Sequence, residues 1–156
     1  MHSIYFSDKI SSHLLDNLKH LFYFNREQKR YHSKIFINVE KYGDPVIRQN
    51  NSYYTLALPL KSETENLFAL DSLGEDGQIL GCLVYILEGD SCIIVHAAID
   101  ELCSAKSDFK NEHIFYRLIE RLKTNLLGKK IKYIQLPYTK SKLSANMPLL
   151  PKQTIL

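Results

Sequence analysis

The chain has 156 residues, a formal net charge of +3, and 45% hydrophobic against 24% charged residues, a balance that suits a folded core and excludes a disordered polyelectrolyte. That length fits one domain burying about two-thirds of the surface its unfolded chain exposes. The charge is too small for a dedicated nucleic-acid binder, no apolar run reaches the ~18 residues of a spanning helix, and no export signal opens the chain.

Near the N-terminus, Ser11 and Ser12 are placed to cap a helix whose Leu14, Leu15, Leu18, Leu21 and Phe22 recur at helical spacing. The polar, basic stretch 25–34 follows as the helix exit, with a second short helix or a loop. Tyr53 to Leu58 is aromatic and β-branched enough for a strand, which Pro59 stops. Two apolar runs, Leu67 to Leu73 and Ile79 to Leu87, flank Gly74-Glu75-Asp76-Gly77, and that turn chemistry predicts a hairpin. Gly89-Asp90 turns the chain into another strand, Cys92 to Ile99.

From Asn111 to Leu127 the apolar positions Ile114, Phe115, Leu118, Ile119, Leu122 and Leu126 mark one helix face, and Arg117, Glu120, Arg121 and Lys123 the other. Gly128 suits the C-terminal stop, and Lys129 and Lys130 favour the negative end of the helix dipole. Ile131 to Leu136 is a last strand ended by Pro137, and the tail from Thr139 to Leu156 is expected to be irregular. A helical start, a meander of strands, one amphipathic helix and a further strand make an α+β chain with a mixed, mostly antiparallel twisted sheet flanked by helices. One domain over 1–156 is expected, with its core at about 10–138 and an irregular tail over 139–156.

The same order occurs in GNAT acyltransferases, and short motifs sharpen the likeness. Phe24-Asn25 with Arg30-Tyr31, the hairpin Gly74-Glu75-Asp76-Gly77-Gln78-Ile79-Leu80-Gly81, Leu102-Cys103 ahead of the long helix, and Pro137-Tyr138-Thr139-Lys140-Ser141 after the last core strand follow one another along the chain. In order and spacing they resemble the C-terminal acyltransferase-like domain of FkbH-like proteins. The resemblance implies a GNAT-like fold in which the splay between the strands flanking the long helix admits the pantetheine arm of a thioester donor. It further implies acyl transfer from acyl-coenzyme A or from an acyl carrier protein, with no tightly bound cofactor. The phosphatase-like domain of those proteins has no counterpart here, so phosphate removal is not expected.

Cys103 is the first candidate for catalysis, because a thiolate is a strong nucleophile and a helix N-terminus lowers its pKa; a small buried hydrophobe is the alternative. His96 lies mid-strand on the same face as Ala98 and Asp100 by the two-residue period. It is a candidate general base or a histidine satisfied by a backbone partner. Cys82 and Cys92 lie in apolar strands and are expected in the core. By the resemblance, backbone near Ala97 and Ile99 holds the pantetheine amides, Lys106, Lys110 and Asn111 sit at its phosphate end, and Tyr138 and Lys140 line the acceptor side. No glycine lies between Cys103 and Asn111, so a tight backbone cradle for a pyrophosphate is not expected there, which favours carrier-bound pantetheine. The six histidines show no clustered ligand spacing, and no metal is expected. With cysteines outside any CxxC pair, a cytoplasmic protein without nucleic-acid or membrane partners is expected. A non-catalytic module of the same fold, docking on a carrier protein or partner enzyme, is the competing reading.

Overall fold

The computed structural model describes residues 3–23, 41–43, 45–61, 63–74, 77–100, 113–137 and 142–145. Its strands are β1 (Tyr5–Ser7), β2 (Ile10–Ser11), β3 (Val46–Asn50), β4 (Tyr53–Ala57), β5 (Glu65–Leu70), β6 (Ile79–Glu88), β7 (Ser91–Ile99), β8 (Tyr133–Gln135) and β9 (Lys142–Ser144). Among the described residues the longer helices are α1 (Leu15–Tyr23), entered through a 3-10 turn at Ser12–Leu14, and α2 (Ile114–Asn125). This is a mixed α+β protein whose larger sheet has six strands in the order β1-β5-β6-β7-β8-β9. Only β7 and β8 pair in parallel; the other neighbours are antiparallel.

The centre of the sheet follows from one stretch of sequence. From Ile79 to Ile86 every residue of β6 is buried, because β6 has strands on both sides and helices above and below. Such a strand needs a continuous apolar run, not an alternating one. Leu83, Tyr85 and Leu80 pack with Leu118, Ile119 and Leu122 of α2, while Cys82, Val84 and Ile86 pack with Leu14, Leu18 and Leu21 on the α1 side. The sheet thus separates two apolar cores. Asn17 of α1 adds a polar tie: its Oδ1 accepts the Ile79 N–H at 2.6 Å.

The expected hairpin is present, with its register closed earlier than the apolar run suggested. Asp71 N–H donates to Gln78 O at 3.1 Å, and Gln78 N–H donates to Asp71 Oδ1 at 2.7 Å. β5 therefore stops at Leu70, and Leu73, placed in the strand by its hydrophobicity, stands in the turn at 67% exposure. At the other hairpin, Gly89 takes φ +61°, the left-handed conformation that glycine reaches without strain. Ser11 does precede the first helical turn, but its hydroxyl lies 2.8 Å from His13 Nδ1 and caps no backbone N–H. The tail was expected to be irregular; Lys142–Ser144 instead forms β9, antiparallel to β8, because β8 would otherwise be left as a bare edge.

A second sheet, β2-β4-β3, lies over the α1-side core through Ile10, Leu56 and Leu58. One edge of β4 is closed residue by alternate residue. Tyr54 stands opposite Ile10 of the very short β2. Two positions on, Asn66 of β5 substitutes its side chain for a strand: its Oδ1 accepts the Leu56 N–H at 2.7 Å and its Nδ2 donates to Leu56 O at 2.9 Å. At Leu58 the N–H donates to Thr64 Oγ1 at 3.1 Å. A buried backbone edge needs such partners, and here a primary amide, carrying both an acceptor and donors, joins the two sheets.

Candidate functional site

The site is built where the parallel pairing of β7 with β8 ends. Pairing between β7 and β8 runs only from Ser91↔Tyr133 through Cys92↔Ile134 to Ile93↔Gln135. β7 continues to Ile99 on the arm of β6, whereas β8 ends at Gln135 and Pro137, lacking an N–H, cannot extend the ladder. The link between β7 and β8 passes through α2, which lies on one face of the sheet. Pairing between the two strands is therefore confined to the first three residues of β7.

A bulge marks the same place. Tyr85 stands opposite Ile94 and Val84 opposite His96, so Val95 is an extra residue on β7. Its effect is to reset which residues face which core. Cys92 and Ile94 belong to the α2 core and Val95 to the α1 core; after the bulge Ala97 and Ile99 pack toward α2 and Ala98 toward α1. Cross-strand partners share a face, so His96, opposite Val84, lies on the α1 face with Ala98. The pairing of His96 with Ala98 on one face agrees with the two-residue period; the side of the sheet is decided by the bulge, which an unbroken apolar sequence does not signal.

His96 is 2% exposed, and burial pushes its imidazole down to about 4, since an apolar surround penalises the cation. It is neutral at physiological pH. Ala97 and Ile99, half-buried on the α2 face, belong to the half of β7 beyond that pairing. Beside them Gly81, opposite Ile99 on β6, makes room for the helix. A Cβ there would lie 2.9 Å from Ile99 Cδ1, 3.0 Å from Ile114 Cγ2 and 3.1 Å from Leu118 Cδ1. The first turns of α2 thus rest directly on the sheet at this point. The helix begins after His113, which adopts φ +50° and gives no side-chain cap to the N-terminal N–H groups.

The two described cysteines are core residues, as expected. Both are buried, and desolvation raises both thiols, that of Cys92 to about 12 despite the nearby Lys129. Neither is a thiolate at neutral pH, so neither serves as a nucleophile. Cys103, Lys106, Lys110, Asn111, Tyr138 and Lys140 lie outside the described residues. No group of three or more His, Cys, Asp or Glu side chains placed to hold a metal ion occurs among the described residues. No described helix is long and apolar enough to cross a membrane. Comparison with protein-family models, with curated proteins and with solved structures finds no match.

Proposed function

We propose that this chain is a GNAT-type acyltransferase that takes its acyl group from a pantetheine thioester, in the manner of the acyltransferase-like domain of FkbH-like proteins. The observation that supports this is the short parallel pairing of β7 with β8, three residues long, with a bulge at Val95 just beyond it on β7. An extended ligand of alternating methylene and amide groups suits a strand, whose backbone N–H and C=O groups recur at alternate residues. The arm would run along the Ala97–Ile99 stretch, with Lys106, Lys110 and Asn111 toward its phosphate. Cys103 would be the acyl acceptor, and Tyr138 and Lys140 would flank the incoming substrate. With no glycine between Cys103 and Asn111, a loaded acyl carrier protein is the preferred donor over acyl-coenzyme A.

The burial of His96 favours a second reading, in which the same stretch of β7 binds the pantetheine arm without catalysis. A neutral imidazole, 2% exposed on the α1 face, is shielded from bulk water and poorly matched to proton transfer near neutral pH.

Titration of isotope-labelled protein with a loaded carrier protein and with acetyl-coenzyme A tests the binding. The Ala97 and Ile99 amides should shift with the carrier, and melting should hardly move with millimolar coenzyme A. A ligand at a hundredfold excess over Kd stabilises by about 2.7 kcal/mol, several degrees for a domain of this size. A clear rise at low micromolar coenzyme A would reverse the donor preference, and shifts confined to residues remote from β7 would sink the site. Thiol release on adding an acceptor separates transfer from binding alone.

A further inference from the structure

We propose that the turn from α2 into β8 is a peripheral docking site for an anionic lipid surface, with Leu127 as the inserting side chain and Lys129, Lys130, Lys132 and Lys142 as its headgroup contacts. The inference is independent of the acyl-transfer reading. α2 spans about 18 Å, and this turn is at its C-terminal end, whereas the second half of β7 lies by its first turns.

The sequence forces a projecting turn. Leu126 is 4% exposed and anchors the end of the helix in the core, while its neighbour Leu127 is 71% exposed, the most exposed large apolar side chain among the described residues. Gly128 then takes φ +84° and ends the helix, with open space around the position of a Cβ. The turn is held firmly from behind: the N–H groups of Lys132 and Tyr133 both donate to Asp90 O, at 2.7 and 3.2 Å. Lys129, Lys130, Lys132 and Lys142 are all exposed. Tyr133, 44% exposed, carries the Lys142 ammonium 5.9 Å from its ring centroid.

Charge complementarity selects the occupant. The exposed Lys129, Lys130, Lys132 and Lys142 outnumber the carboxylates of the adjoining β6–β7 connection, which are Asp90 and a Glu88 already paired with Lys61 at 2.7 Å, so the partner is anionic. The apex of the turn is a leucine, and a nucleic-acid backbone would leave that side chain unburied. A bilayer interface accepts the parts together: an apolar tip, an amphipathic tyrosine, and lysines whose stems lie along the tip while their ammonium groups reach the headgroups. One shallow apolar contact is too weak by itself, which is why the lysines are needed.

Sedimentation of the full chain with phosphatidylcholine vesicles, with and without phosphatidylserine, tests the site. Binding is expected only with phosphatidylserine and should weaken as salt is raised. Each of Lys129→Gln and Lys130→Gln should lower the partition coefficient about fivefold, and Leu127→Ser should lower it while leaving the melting temperature unchanged. No binding to phosphatidylserine vesicles at low salt overturns the proposal. So does binding that Leu127→Ser leaves intact, or binding to soluble polyglutamate as tight as to vesicles, since either shows a general polyanion contact.

Discussion

Replacing Asn66 tests whether a side chain can stand in for a β-strand. Asn66 is 4% exposed and Leu56 1% exposed, so Asn66→Ala strips partners from a backbone N–H and a backbone C=O that water reaches poorly. A buried group left unsatisfied costs about 1–3 kcal/mol, and the two together predict a loss of about 2–6 kcal/mol. That is a large part of the 5–15 kcal/mol typical of a folded domain. Urea unfolding at neutral pH should show the midpoint falling with little change in slope. Asn66→Asp sharpens the test. It keeps the shape and the acceptor for the Leu56 N–H at 2.7 Å, but at neutral pH it sets a carboxylate oxygen where Nδ2 now donates to Leu56 O at 2.9 Å. Only the protonated acid can donate there, so its folded pKa is raised above the ordinary value of about 3.9. The sign follows: the contribution is fully present below the unfolded pKa and is lost as pH rises through the folded one. Relative to the parent at the same pH, Asn66→Asp should recover stability toward pH 4 and Asn66→Ala should not. A loss below about 0.5 kcal/mol for Asn66→Ala, or parallel behaviour of the two variants at every pH, would refute the strand-substitute role.

His96, depressed to about 4 by burial, binds a proton more readily unfolded, near pH 6.5, than folded. Stability should therefore fall as pH drops from about 6.5 to about 4, by an amount on the order of 3 kcal/mol, and His96→Gln should remove that slope in pH-dependent urea unfolding; an unchanged slope assigns the acid sensitivity elsewhere. Gly81→Ala places a methyl about 3 Å from Ile99, Ile114 and Leu118. Since these are side-chain ends that can give a little, a cost of about 1–3 kcal/mol is expected by thermal unfolding, and a neutral effect would show that α2 is not seated on the sheet there. Cys82 and Cys92, buried with raised thiols, should resist alkylation at neutral pH, while Cys103 should react faster; mass-spectrometric mapping showing Cys103 no faster removes it as acyl acceptor.

Local sequence was sufficient for the elements that depend on period and punctuation. The amphipathic spacing behind α2, the Gly89-Asp90 turn and the hairpin around Gly74–Gly77 are statements about neighbours in the chain, and each appears in the fold. The short strands β1, β2 and β3 had no such signal: two to five residues are too few to display a period, and they become strands only because β5 and β4 offer edges to pair with. β9 is likewise made by β8, not by its own residues. The strand that carries His96, Ala97 and Ile99 ahead of the long helix was legible. Its orientation was not. In an apolar run with residues of both cores on either side, nothing local marks Val95 as the extra residue, and one inserted residue exchanges the faces of all that follow. Pairing with β6 alone decides that His96 lies toward α1 and Ala97 toward α2. Asn66 shows the same division: its sequence context is an ordinary strand start, and its role exists only because β4, ten residues earlier, presents Leu56 to it across the sheets.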